Sequence, residues 1–267
     1  MVKKLIIWVS VIVGFTSCGE YQQVVKSKDP DYKYQMALKY FNEKKYARAQ
    51  NLLDDVSSYY KGTERSQDVL TYLSRSYLGM KDYSSAAQYY SAYIRNYPKG
   101  KYIIEARFQV GHCYYLDSPD ARLDQDMTRK SINAFTEFVE LYPDSPYAEQ
   151  AYNEMSEMYD KLAYKELLSA KLYYNLGTYL GNNYLSAQIV AENALKDYPS
   201  NKYQEEFAWL ILLAKYQQAV YSTDDKLHER TRDAIDECYN FNTEWPNSKH
   251  LPQSKRILNQ MRKIVNE

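Results

Sequence analysis

The feature that most constrains this chain is a punctuation mark written four times. "LYPDSPYAE" (141–149) closes one apolar stretch and opens another, and "NYPKGKY" (96–102) and "DYPSNKY" (197–203) have the same form. "EWPNSKH" (244–250) is a looser copy. In each, an aromatic residue completes a packed face and the following proline stops the helix from continuing. At the second of these corners, Ser145 is placed to cap the next helix, and Pro146 sits where its missing N–H costs nothing. Four such marks predict stacked corners between successive helix pairs.

The segments between the marks align. Met36, Ala37, Tyr40, Ala49, Leu53 and Val56 form one apolar set. Leu70, Leu73, Ser74, Tyr77, Ala86, Tyr90 and Tyr93 form the next, closed by Pro98. These offsets follow the tetratricopeptide pattern, a helix–turn–helix of about 34 residues. Ala49 and Ala86 are small where the two helices of a unit are expected to cross closely. A third unit runs from Arg107, Val110, Gly111 and Tyr114 to Phe135, Phe138 and Pro143, with "LDSPDARLDQDM" inserted between its helices. A fourth closing half carries Ala187, Ala194 and Pro199, and the long interval before it predicts an extra helix near Ala148–Leu162. Later helical segments match the repeat poorly, as terminal units of such arrays do. The fold class expected is all-α, a solenoid of about five tetratricopeptide-type units plus C-terminal helices over 31–267. Tyr, at 31 residues, against 8 Gly and 8 Pro, suits helix-on-helix packing in which rings go inside and hydroxyls reach polar partners.

The N-terminus reads as an address. Lys3 and Lys4 precede an apolar run from Leu5 to Val13, and Gly14 to Ser17 lead to Cys18. The run is shorter than a membrane span. This is the layout of a secretory signal over 1–17, with Cys18 as the lipidated first residue of a bacterial lipoprotein. An ordinary signal with an incidental Cys is the other reading. Residues 18–30 are expected to be a polar tether. Gly19 and Glu20, with no Asp after the Cys, point to the outer membrane. Cys113 and Cys238 read as buried free thiols or as a bridge.

Catalytic chemistry has few candidates. Lys+Arg and Asp+Glu are both 34, so the charge balance gives no nucleic-acid signal. His112, His228 and His250 are not paired at ligand spacing, and no phosphate loop or nucleophile elbow is present. Asp117, Asp120, Asp124 and Asp126 lack the spacing of a calcium loop and read as a solvated insertion. No catalytic residue, cofactor or metal is expected. "FAWLILLA", which contains Trp209, is apolar all round and reads either as core or as a partner contact. The first helices of such units line a binding surface. In this register the candidate groove contacts are Tyr34, Phe41, Thr71, Arg75, Phe108, His112 and Tyr115, of types that anchor peptides.

The combination of a lipobox-like Cys18, a first repeat close behind it and the order of corners resembles the BamD family of tetratricopeptide lipoproteins. "DKLAYKELLSAKLYYNLGTYLGNNYLSAQIVAENALKDYPS" (160–200) carries most of the resemblance, with "DKLA", Tyr173-Tyr174, Gly177-x-Tyr179 and "DYPS" in order. It spans roughly Asp31 to Lys215, with one or two additional helices beyond. The resemblance implies a non-enzymatic scaffold of the β-barrel assembly machinery, held at the periplasmic face of the outer membrane by its lipid. Its implied partners are the insertase BamA and the targeting strand of unfolded outer-membrane proteins, with no nucleic acid. The alternatives are an adaptor of the division, pilus or peptidoglycan machinery, or a nutrient-binding surface lipoprotein.

Overall fold

A computed structural model describes residues 19–265; the predicted signal and Cys18 lie outside them. Among the described residues the chain is helical, with no strand. It divides into two compact units: residues up to Ser118 together with Asp126–Met155, and Pro119–Gln125 together with Ser156 onward.

The first unit holds α1 (residues 19–26), α2 (Pro30–Asn42), α3 (Tyr46–Tyr60), α4 (Ser66–Gly79), α5 (Tyr83–Asn96), α6 (Ile103–Asp117), α7 (Asp126–Leu141) and the opening turns of α8 (Ala148–Leu176). From α2 to α7 each helix packs on its neighbours in sequence, the pairwise stacking of helix–turn–helix repeats. Asp29 caps α2 by accepting from the backbone N–H groups of Asp31 and Tyr32, with Pro30 at the first helical position. The core is aromatic: Tyr40, Tyr90, Tyr93, Phe108, Phe135 and Phe138 are fully buried. Small residues make room for them. A Cβ on Gly111 would come within 2.7 Å of the Phe135 ring, so α6 and α7 can be this close only with glycine there.

The second unit holds the remainder of α8, then α9 (Asn183–Asp197), α10 (Gln204–Val220), α11 (Asp224–Glu244) and α12 (Leu251–Val265). Ala163, Leu167 and Ala170 of α8 pack with Ala191 and Ala194 of α9 and Phe207, Leu210 and Ile211 of α10. Trp209 and its neighbours from Phe207 to Leu212 are all buried, so this apolar run is core.

The corners share one backbone solution. At 142–148 the N–H of Ser145 bonds the carbonyl of Tyr142, and that of Ala148 bonds Ser145. At 97–103 the same pair is Gly100 to Tyr97 and Ile103 to Gly100, and at 245–251 it is Ser248 to Trp245 and Leu251 to Ser248. The aromatic residues that end α5, α9 and α11 have nearly the same dihedrals: Tyr97 at φ −134°, ψ 64°, Tyr198 at −129°, 65° and Trp245 at −121°, 60°. Ser145 Oγ, Asn201 Oδ1 and Ser248 Oγ each accept from the N–H two residues on. Gly100 has no side chain to do this, and a Cβ there would collide with the Tyr93 hydroxyl. That hydroxyl takes over, accepting from the Tyr102 N–H at 3.0 Å and donating to Gln67 Oε1 at 2.9 Å.

Two expectations change. The extra helix expected near Ala148–Leu162 is not separate: α8 runs unbroken for 29 residues because no Gly or Pro interrupts the sequence between Pro146 and Gly177. The stretch expected as a polar tether is helical over 19–26. There Val24 is buried and Tyr21 packs edge-on to Tyr40 with ring centroids 5.6 Å apart, because two apolar residues three apart share one helical face. Cys113 and Cys238 are free and buried, and burial pushes their thiols up to about 12 and about 11.

Candidate functional site

The seven groove candidates all fall in the first unit, on α2, α4 and α6, and the structure treats them unequally. Tyr34, Thr71 and Phe108 are buried. They lie 37 residues apart, at matching positions of α2, α4 and α6. Tyr34 meets Tyr60 edge-on and lies beneath the Arg65 guanidinium; burial raises its hydroxyl to about 12. Thr71 returns its hydroxyl to the Gln67 carbonyl at 2.8 Å. Phe108 stacks on Tyr147 with centroids 4.8 Å apart. Tyr34 and Phe108 are covered by the rings of Tyr60 and Tyr147 and Thr71 is a buried spacer, so a partner cannot reach the three directly.

The other four are partly exposed. Phe41 packs edge-on against Tyr46 and Tyr72. Arg75 makes a bidentate pair with Glu105, its Nε and Nη2 lying 2.7 Å and 2.5 Å from the two carboxylate oxygens. The guanidinium also lies between the rings of Tyr72 and Tyr102, each 5.3 Å from it. Chiefly through its bonds to Glu105, its pKa is raised, so the charge is fixed. His112 stacks between Phe108 and Tyr115. Its Nδ1 lies 2.8 Å and 2.9 Å from the oxygens of Glu154, which also accepts from Gln150. The resulting surface alternates aromatic rings with held charges, a composition suited to gripping a peptide without a dedicated pocket.

A neighbouring cleft of about 650 Å³ was not singled out in the sequence. Asp31, Tyr59, Tyr60, Thr63, Glu64, Arg65, Asp68 and Lys101 line it. Its charges are wired together. Asp31 accepts from the Tyr60 hydroxyl at 2.6 Å and pairs with Arg65, and Asp68 accepts from the Tyr102 hydroxyl at 2.7 Å and pairs with Lys101. The bonds from Tyr60 and Arg65 hold the Asp31 carboxyl below the usual carboxylate range. Only the repeat interval could have found this cleft, since Asp31 and Asp68 are 37 residues apart at the same helical position.

The acidic insertion is held from within. The Gln125 side-chain amide donates to the carbonyls of Asp120 and Leu123, and Lys165 of α8 also donates to Leu123. Among the described residues no group of three or more His, Cys, Asp and Glu is placed to hold a metal ion. No helix among them is long and apolar enough to cross a membrane.

Comparison with known proteins assigns the family. Residues 26–182 match the model of the YfiO family, described as outer membrane lipoprotein. The chain belongs to this family. It is also 23% identical over 270 residues to the outer membrane protein assembly factor BamD of Neisseria meningitidis serogroup B, an alignment covering 95% of this chain and 96% of that protein. The alignment therefore runs beyond Lys215, into the segment expected as an addition. Among solved structures the chain is similar to a human IFIT1 dimer with PPP-AAAA, at TM-score 0.30 and 17% identity, covering 88% of this chain and 56% of that one. The repeat fold rests on the helix pairs and corners described above.

Proposed function

We propose that this protein is a lipid-anchored scaffold at the outer membrane that serves the assembly of outer-membrane proteins by binding rather than by bond chemistry. The observation that carries the reading is the end-to-end correspondence with an assembly factor of the same family. Cys18 carries the lipid in this reading, which raises the local concentration of the folded units near membrane-bound partners. The partners are a BamA-like barrel insertase and extended segments of unfolded outer-membrane proteins. The partly exposed Phe41, Arg75, His112 and Tyr115 are the side chains offered to such a segment. Aromatic rings and a fixed guanidinium on rigid helices can bind it without ordering a loop of their own.

The deciding experiment is affinity purification of the intact protein from gently solubilised outer membranes, with mass spectrometry of what accompanies it. Stoichiometric recovery of a barrel protein with periplasmic repeat domains is expected. Recovery of a division, pilus or peptidoglycan machine instead overturns the reading. Replacing Cys18→Ser is expected to shift the protein out of the outer-membrane fraction, and an unchanged distribution removes the lipid from the proposal.

A further inference from the structure

The segment that follows the predicted lipid site is part of the folded body. Cys18 immediately precedes Gly19, the first residue of α1. α1 turns back on α2: the Ser27 N–H bonds the Val24 carbonyl at 3.0 Å, and Ser27 Oγ accepts from the N–H of Asp29, the cap of α2, at 3.1 Å. Val24 is fully buried in a core made with α2 and α3. Tyr21 lies edge-on to Tyr40, its hydroxyl accepts from the Asn51 amide at 3.4 Å, and the Arg48 guanidinium lies 5.1 Å from its ring centre. Glu20 pairs with Lys39 at 2.8 Å. The start of α1 is thus fastened beside the end of α2 and the start of α3, at the turn that joins them.

This docking fixes a distance. As a flexible chain, residues 18–29 would let the body stand about 20 Å from its lipid and turn freely. With α1 docked, the Cα of Cys18 is only about 3.8 Å from that of the first helical residue. Acyl chains buried in a bilayer therefore draw the α2–α3 turn down to the headgroups, and its composition suits what it meets there. Around the turn Lys39, Lys44, Lys45 and Arg48 are four basic groups against two acidic ones, Glu20 and Glu43. The three lysines are exposed and Arg48 is partly so. The pairs Lys39–Glu20 and Lys45–Glu43 are open to water, so they exchange readily for phosphate oxygens. At the opposite end of the helix pair, over 28–33 and 54–65, five acidic groups stand against four basic ones. The positive end is the one beside the lipid.

We propose that α1 is a stiff stem that seats the α2–α3 turn of the first unit on the membrane, with Lys39, Lys44, Lys45 and Arg48 against phospholipid phosphates. The proposal rests on the lipid-anchored reading above and adds a fixed facing to it. Attraction to the headgroups grows with their negative charge and is screened by salt.

The test uses the full chain purified from membranes and reconstituted in vesicles of phosphatidylcholine and phosphatidylglycerol that contain a headgroup-nitroxide lipid. Mass spectrometry first reads the acyl mass on Cys18. A fluorophore is attached at Asn42→Cys, beside the turn, or at Lys61→Cys, exposed past the other end of α3 about 20 Å away. Cys113 and Cys238 are buried and do not compete. Quenching severalfold stronger at 42 than at 61 is expected, rising with the phosphatidylglycerol fraction. A flexible Gly/Ser linker inserted between Gly19 and Glu20 leaves the contacts of α1 in place and is expected to bring the two labels to similar quenching. Lys44→Glu with Lys45→Glu is expected to weaken quenching at 42 severalfold, with little change in the denaturation midpoint. Equal quenching at 42 and 61 in an acylated chain, or quenching at 42 indifferent to the linker or to the charge reversal, overturns the proposal and leaves the lipid anchor standing. A chain with no acyl mass on Cys18 overturns both. With quenching at 42 unchanged by the charge reversal, loss of a co-purified protein would assign the turn to a protein partner, and loss of self-association would assign it to a second copy. Either result overturns headgroup contact.

Discussion

Helices α4 and α10 occupy the same slot, the first helix of a repeat, and fill it by opposite means. α4 buries Thr71, Ser74 and Ser76, whose hydroxyls donate to the carbonyls four residues back at 2.8, 2.8 and 2.7 Å. Satisfied in this way, they act as small spacers, and the bulk comes from tyrosines on neighbouring helices, among them Tyr90 and Tyr93. α10 brings its own bulk. Phe207, Trp209, Leu210, Ile211 and Leu212 are all buried, and its one buried amide, Gln218, is bonded to Gln188 at 2.8 Å. The lesson is that a repeat position specifies volume and polar satisfaction rather than residue type.

The contrast is broken most severely in α10. Phe207→Ala removes a fully buried ring and is expected to cost about 3–5 kcal/mol, read as a lower denaturation midpoint of the second unit. Among the described residues both tryptophans, Trp209 and Trp245, lie in that unit, so their fluorescence reports on it. In α4 the harmful change is the reverse one. Ser74→Leu is expected to cost about 1–3 kcal/mol by overpacking, while Ser74→Ala stays near the parent because the lost hydroxyl leaves no orphan partner. Equal costs for Ser74→Ala and Phe207→Ala in chemical denaturation would refute the distinction.

At the corners, Tyr93→Phe leaves the Tyr102 N–H without its acceptor and Gln67 Oε1 with only the Lys101 N–H, and about 1–2 kcal/mol is expected. Ser145→Ala, which removes one acceptor at an exposed turn, is expected to cost less than Tyr93→Phe in the same assay.

The smallest effect is in pH. His250 stacks on Trp209 with centroids 4.5 Å apart, and burial lowers its pKa from the ordinary 6.5. Its contribution is full above pH 6.5 and fades as pH falls below it, because the unfolded chain takes the proton first. Asp31, whose pKa is lowered from 3.8, loses its contribution only at more acidic pH. Mild acid should therefore loosen the second unit before it touches the Asp31 corner. Tryptophan fluorescence unchanged between pH 7 and 5.5 would contradict this order.

The repeat was legible because Ala49, Ala86 and Ala187 mark helix crossings and Pro98, Pro143 and Pro199 mark corners, each through a local steric rule. The fusion of two helices into α8 was harder to see, since the absence of a breaker is a weaker signal than its presence. Groove positions were read from helical register alone. Register places Thr71 and Phe108 on the right face but cannot show that Thr71 is buried or that Tyr147 covers Phe108. The cleft around Asp31 needed contacts between residues about 34 apart, which no window of sequence displays.

The exchange of partners at Gly100 bears on how such a chain can change. Gly100→Ser alone would drive a side chain into the Tyr93 hydroxyl, and Tyr93→Phe alone would strip the turn of its acceptor. Made together, the two changes remove the tightest contact and supply a serine acceptor like the one at Ser145, yet Tyr97 Cβ, 2.9 Å from the new Cβ, and Gln67 Oε1, which also accepts from the Lys101 N–H, must still give way. Passing from one version of the corner to the other thus takes several coordinated changes, and a lineage holding one of them would tend to keep it.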